Sequence, residues 1–317
     1  MGKADHETQH VTAVASEGGV AVSFVSPGER ATPIAVVMLV GASLIFSTGA
    51  LFVRSLDHAD PWTTVFWRSL SASASLLLWI GWRERANTPA AIRAMGRPGC
   101  IVAISFSTSS IAVVVALSKT STAIVLVIFA LGPLAAAIMA WILIGERVRS
   151  YTWAAIVVTV AGVAYMVSGP GAGGSLSGAL IALLMPISFG YGAVMIRRHS
   201  AVTMAPAMLL ATIISTVVSL PFAHPLSVSR HDLLLLLTFG FAQLGAGLAI
   251  FSVGAARAPA TEVALLSMLE PVTGPIWVWV FMNEYPGVPA LIGGSAVFIA
   301  LVAHTAYAGR VSAPTRS

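Results

Sequence analysis

Two ionisable side chains stand inside long apolar runs of this sequence, and they are its first candidates for chemistry. Glu270 lies about halfway along the run 259–282, directly before Pro271. Proline removes a backbone donor and loosens the turn before it. A carboxylate beside carbonyls freed in this way can bind an ammonium group, a cation or a proton. Arg68 lies in the run 61–82, with Thr64, Ser71 and Ser75 at i−4, i+3 and i+7, one polar stripe on a helix. A guanidinium stays charged there and needs an acidic or carbonyl partner. It can grip a carboxylate with two parallel hydrogen bonds. Each residue also has a plainer reading. Glu270 can be neutral and packed, and Arg68 can brace Glu270 or backbone carbonyls, or snorkel outward. Trp67 sits beside Arg68, deeper than the other tryptophans.

Smaller polar groups extend the set. The run 99–118 carries Ser105, Ser107, Thr108, Ser109 and Ser110, and the run 34–53 carries Ser47 and Thr48. Tyr191 lies in the run 176–196 and Gln243 in the run 232–255. Ser47, Ser105, Ser109, Tyr191 and Gln243 are candidates to line a wet cavity with Arg68, Glu270 and Trp67. The competing reading is packing, because small residues let helices approach closely in lipid and serine bonds its own backbone.

These side chains need elements that hold them in an apolar medium. Of 317 residues, 57% are hydrophobic and 9% charged, and the mean hydropathy is +0.90. A soluble domain is nearer ~25% charged. Too little polar side chain is present to cover a water-facing surface, and a disordered chain is excluded by the same numbers. Ten apolar runs stand out, at 34–53, 61–82, 99–118, 121–144, 151–168, 176–196, 203–222, 232–255, 259–282 and 288–307. Each has the length of a helical span, without the alternation of a barrel strand. The expected fold is an all-α integral membrane protein of ten transmembrane helices. Residues 1–32 and 309–317 read as disordered cytoplasmic tails, and GPGAGGS at 169–175 as a flexible linker.

Basic residues orient the spans. With the N-terminus inside, thirteen of the 17 Lys and Arg fall in inside segments. Arg54, Lys119 and Arg230 fall outside, and Arg68 lies within a span. Both termini are then cytoplasmic, and the expected location is a plasma membrane, a bacterial inner membrane. The net charge of +5 reflects this bias and contact with anionic lipid, so nucleic acid is not implied. Trp62, Trp79, Trp82, Trp141, Trp153, Trp277 and Trp279 fall near span ends, as interfacial residues do.

The sequence also repeats. At a spacing of 138 residues Ser105 meets Gln243, Lys119 meets Arg257, Pro133 meets Pro271 and Glu146 meets Glu284. At 143 residues Phe46 meets Phe189, Gly49 meets Gly192 and Arg54 meets Arg197. Five spans per copy is odd, so the second copy must insert upside down. The expected units are 33–168 and 176–308, with helix breaks at Pro133 and Pro271. Inverted repeats with a site between them are the plan of alternating-access carriers. Neither Arg68 nor Glu270 has a charged mate in the other copy.

The segments IFSTGALFVR (45–54), VFWRSLSASASLLLW (65–79) and LGPLAAAIMAWILIGER (131–147) resemble the drug/metabolite transporter superfamily, and most closely its EamA-type group. The resemblance covers about residues 33–308. It implies ten helices, both termini inside, and transport of small metabolites. The second copy departs in lacking a counterpart of Arg68 and in reading NEY where the first reads GER.

Motifs for other chemistry are missing. The chain has no G-x-x-x-x-G-K-[ST] and no G-x-S-x-G. Its one cysteine, Cys100, excludes a cysteine-rich metal site. No cofactor and no metal are expected. The expected partners are the bilayer, a small-molecule substrate, and protons or a counter-substrate. A zwitterion such as an amino acid fits the pair Glu270 and Arg68, carried by export or exchange. A passive pore and an intramembrane enzyme on a lipid-linked substrate are the alternatives.

Overall fold

The structure, a computed structural model, describes residues 32–84, 93, 95–145, 150–168, 175–198, 204–255, 257, 263, 266–267, 269–283, 285 and 287–312. The tails before 32 and after 312, the linker residues 169–174, and Glu146, Glu262 and Glu284 lie outside them. Among the described residues all regular structure is helical. Helix α1 (Pro33–Ser47) runs into the short α2 (Gly49–Arg54), and α3 spans Pro61–Glu84. Next come α4 (Gly96–Leu117), α5 (Thr122–Phe129), α6 (Gly132–Ile144) and α7 (Ser150–Ser168). The second copy holds α8 (Leu176–Arg198), α9 (Met204–Ser219) and α10 (Arg230–Thr238). A π-helical segment (Phe239–Ala246) joins α10 to α11 (Gly247–Ala255), followed by α12 (Leu269–Met282) and α13 (Gly287–Ser312).

A helix falls in each of the ten apolar runs. By length and hydropathy, Pro33–Arg54, Gly96–Leu117, Arg230–Phe251 and Gly287–His304 can each cross a membrane. Thr122–Phe129 and Leu134–Leu143 are apolar enough together but are bent by 43° at the short break between them. The bend falls just before Pro133, which cannot donate to the preceding turn. The helix ends carry their own local reasons. Thr32 caps α1 by accepting the Ala35 N–H, and Ser229 caps α10 by accepting the Asp232 N–H. Asp60 caps α3 by accepting the N–H groups of Trp62 and Thr63 and the Thr63 hydroxyl. Burial disfavours the charged form of Asp60, yet these hydrogen bonds and the nearby His224 hold its carboxyl below the usual range. Gly145 and Asn283 are partners at the 138-residue spacing. Both end their helices in the left-handed region, at φ 69° and 53°.

The packing units are not the two sequence copies. Helices α1, α2 and α3 pack with α10, the π-segment, α11 and α12 of the other copy. Helices α8 and α9 pack with α4, α5 and α6. Each bundle therefore takes its first two spans from one copy and its third and fourth from the other. Contacts between the bundles run mainly through α3 with α9 and α5 with α12, while α7 pairs with α13. In each of these three pairs the members are repeat mates.

Individual contacts repeat the exchange. Gly49 lies against Gln243, and its mate Gly192 lies against Ser105, the mate of Gln243. Gly274 approaches the Ser47 carbonyl, and Gly190 approaches Ala136, the mate of Gly274. Gly245 lies against Ser75, and its mate Ser107 bonds Ser215. At these positions the glycine lets two helices close to backbone distance, as helices in lipid favour. Large apolar side chains such as Leu78, Val157, Leu180 and Ile299 cover the outside of the assembly.

Candidate functional site

The site is built around the interruption between α1 and α2. Thr48 forms a turn there, and its hydroxyl bonds the Ile45 carbonyl at 2.7 Å. The Ser47 hydroxyl bonds the Leu44 carbonyl at 2.7 Å. Two side chains of the second copy grip this point. Gln243 Nε2 donates to the Phe46 carbonyl at 2.9 Å, and Trp277 Nε1 donates to Ser47 Oγ at 2.9 Å. A broken helix in an apolar medium needs such donors and acceptors, because no water satisfies its backbone.

Arg68 stands on α3 about 12 Å from the Asp60 end, at ~1.5 Å of rise per residue. It is 6% exposed. Its guanidinium carbon lies 4.6 Å from the centre of the Phe239 ring, a cation–π arrangement. Phe239 in turn stacks on Phe52 of α2, with centroids 5.2 Å apart and planes within 9°. Arg68 Nη1 reaches the Ser110 carbonyl and hydroxyl on α4, both at 3.4 Å. Arg68 thus rests on its own bundle and touches the other. Its Nε is buried without a hydrogen-bond partner.

The π-segment supplies Phe239 and Gln243. A π-turn carries one extra residue per turn and is frequent at functional sites. Here it lies close to α3. A Cβ on Gly240 would strike the Arg68 carbonyl, and Ser71 Oγ donates to the Leu237 carbonyl at 2.7 Å, just before the segment. Gln243 is 6% exposed, and its Oε1 is buried without a partner. The cluster therefore presents one unpaired donor, on Arg68, and one unpaired acceptor, on Gln243.

Glu270 is half-buried in the first turn of α12. Pro271 and Pro275 cannot donate to the carbonyls of Ser267 and Pro271, which frees acceptors on both sides of it. Glu270 and Arg68 act on each other electrostatically. Among the described residues no direct ion pair joins them. The bracing of Arg68 is therefore by the Ser110 carbonyl and the Phe239 ring.

Other candidates go elsewhere. Trp67 Nε1 donates to the Pro225 carbonyl at 3.3 Å, so its polar edge is turned to the 225–227 turn. Ser105 Oγ bonds the Ile101 carbonyl, and Ser109 Oγ reaches the Met185 carbonyl at 3.4 Å. Their helix packs tightly on α8. Tyr191 packs on an apolar cluster with Val194, Met195 and Val102. Pro133 begins α6 and Pro271 lies in the first turn of α12. Trp277, placed by sequence in the interfacial belt, instead bonds Ser47 at the break. Phe52, Phe239 and Ser110 were not singled out as ligand-facing. Phe52 belongs to the repeated segment, but nothing in one sequence shows that its ring carries the Arg68 platform.

Elsewhere, Asp232 accepts the N–H groups of Asp57 and His58 at 3.0 and 3.1 Å, and His231 pairs with Asp57 and Asp232 at 3.4 and 3.6 Å. Both Asp232 oxygens are engaged in tying the α2–α3 connection to α10, and we read this cluster as a loop anchor.

The fold and site define a multi-pass helical membrane protein of two repeats, with a buried polar cluster between its bundles. The chain belongs to the EamA-like transporter family, whose model matches it twice, over residues 33–168 and 176–305. It is thus a membrane transporter of small molecules. A solved crystal structure shares the fold with a TM-score of 0.60 at 19% identity, over 89% of this chain and 99% of that one. No curated protein matches it by sequence.

Proposed function

We propose that this transporter is a secondary carrier of amino acids or related zwitterions. It would cross a plasma membrane ten times, both termini cytoplasmic, and work in export or exchange. The observation that supports this most is the pair of buried, unpaired atoms, Arg68 Nε and Gln243 Oε1, in one cluster with Glu270 on the neighbouring helix. Buried polar atoms are nearly always satisfied, so an unpaired donor and acceptor together mark a place for a ligand. A substrate carboxylate would take the guanidinium. Its ammonium would take Glu270, Gln243 Oε1 and the carbonyls freed by Pro271 and Pro275.

Binding would couple to motion through Ser110. Arg68 holds Ser110 across the bundle interface by long hydrogen bonds, which a carboxylate replaces with shorter charge-assisted ones. The bundles would then move against each other about α3–α9 and α5–α12. The moving units are accordingly the exchanged bundles, with the sequence copies interleaved between them. Glu270 would carry the coupling proton or hold the substrate amine.

A thermal-unfolding screen of amino acids and other small metabolites on the purified protein tests this reading. A true ligand at 100 times its Kd adds about 2.7 kcal/mol to the folded state. A zwitterion should raise the melting temperature of the parent and leave Arg68→Ala and Glu270→Gln unshifted. A screen in which only uncharged solutes stabilise, equally in all three proteins, overturns it.

A further inference from the structure

We propose that Arg54 is a gate residue that closes the path from the Asp60 end of the molecule to Arg68. The proposal rests on the alternating-access reading and assigns a part that reading leaves open.

Arg54 is the last residue of α2. Its Nη2 donates to the Thr120 carbonyl at 2.9 Å and its Nε to Thr122 Oγ1 at 3.3 Å. Arg54 belongs to the α1–α2–α3 bundle, while Thr120 and Thr122 form the turn from α4 into α5 of the other. The guanidinium therefore crosses between bundles, as Arg68 does deeper down. The turn that receives it is firmly held. Thr120 Oγ1 accepts the Ser175 N–H at 3.2 Å, and Gly178 of α8 packs directly on Thr120.

Arg54 lines a cavity of about 100 Å³ together with Pro61, Thr64, Val114, Leu117 and Ser118, among others. Thr64 and Arg68 share one face of α3, one turn apart. Thr64 thus places one wall of the cavity a single turn of α3 from Arg68, and Arg54 lines the same cavity from the end of α2.

The link back to the site is α2 itself. This helix has six residues. Its start is the Thr48 interruption that Gln243 and Trp277 hold, and its end is Arg54. A ligand that draws Gln243 off the Phe46 carbonyl frees the start of α2, and the rotation that follows moves Arg54 at the other end. The site and the gate are two ends of one rigid piece.

The test is the reactivity of a thiol inside the cavity. Cys100 is replaced by serine, and Thr64→Cys is introduced. The protein is placed in lipid nanodiscs, where both faces meet a bulky hydrophilic maleimide. Ser215→Cys, fully buried between α4 and α9, serves as the reference, and the ratio of the two labelling rates is the readout. Arg54→Gln should raise that ratio several-fold, and Thr122→Val should raise it less. A ratio that Arg54→Gln leaves unchanged or lowers overturns the gate. The assay needs no substrate, so a raised ratio in a chain that binds no amino acid keeps the gate and removes the zwitterion reading. An unchanged ratio in a chain that binds one removes the gate alone.

Discussion

Gln243 and Phe46, 197 residues apart, are joined by a side-chain amide that donates to a main-chain carbonyl at 2.9 Å. The bond closes the last turn of α1, where the helix stops before Thr48. It makes the position of the break depend on a residue of the other repeat copy. Gln243→Leu would take this donor from the Phe46 carbonyl, at a cost of about 0.5–1.5 kcal/mol. Thermal unfolding in detergent should show the loss, and transport should fall further than stability alone explains.

Gly49→Ala tests the same contact from the other side. A Cβ there would lie 2.9 Å from Gln243 Nε2, too close unless the amide shifts. The variant should fold, because the far end of a glutamine side chain can move. It should bind substrate less tightly. Gly192→Ala, its repeat mate, would meet the Ser105 Cβ at 3.2 Å and should leave affinity nearly unchanged.

Gly240→Ala is predicted to be far more severe. Its added carbon would strike the Arg68 backbone carbonyl, which cannot swing aside. α3 and the π-segment would have to separate, carrying Arg68 away from Phe239. Expression and monodispersity in detergent should both drop, and Ser71→Ala should be milder because it removes one hydrogen bond only.

The cap of α3 predicts a pH dependence. The Asp60 carboxyl is held below its unfolded value, so its contribution to stability is present above about pH 4 and is lost as pH falls through the folded value. Asp60→Asn should unfold at lower temperature than the parent at pH 7. The difference should shrink as both are taken toward pH 3. A difference that stays constant down to pH 3 would show that the carboxylate charge contributes nothing.

Much of this was legible from sequence. Helices occupy each of the ten apolar runs because a span has nowhere else to satisfy its backbone, and that constraint is written in hydropathy. The repeat was visible in Pro133 and Pro271, and Arg68 and Glu270 stood out because charge in an apolar run is rare. The exchange of helices between bundles was not legible, since matching positions show that two copies exist and say nothing of which neighbour each one meets. The serines of α4 illustrate the other limit. Ser105 and Ser109 have the composition of a cavity wall, and only the fold shows that Ser105 bonds the Ile101 carbonyl of its own helix and Ser109 the Met185 carbonyl of α8. Trp277 had the position of an interfacial residue, and its bond to Ser47 comes from the fold alone.

The central claim is that Arg68 and Glu270 hold a zwitterion in an alternating-access carrier. Counterflow in proteoliposomes preloaded with a mixed amino-acid pool tests it most directly. Trace label added outside should accumulate transiently above equilibrium with the parent protein. The overshoot should vanish with Arg68→Ala, and with Glu270→Gln either it vanishes or its pH dependence does. Label that only equilibrates, at a rate linear in concentration and unaffected by either substitution, would contradict the account.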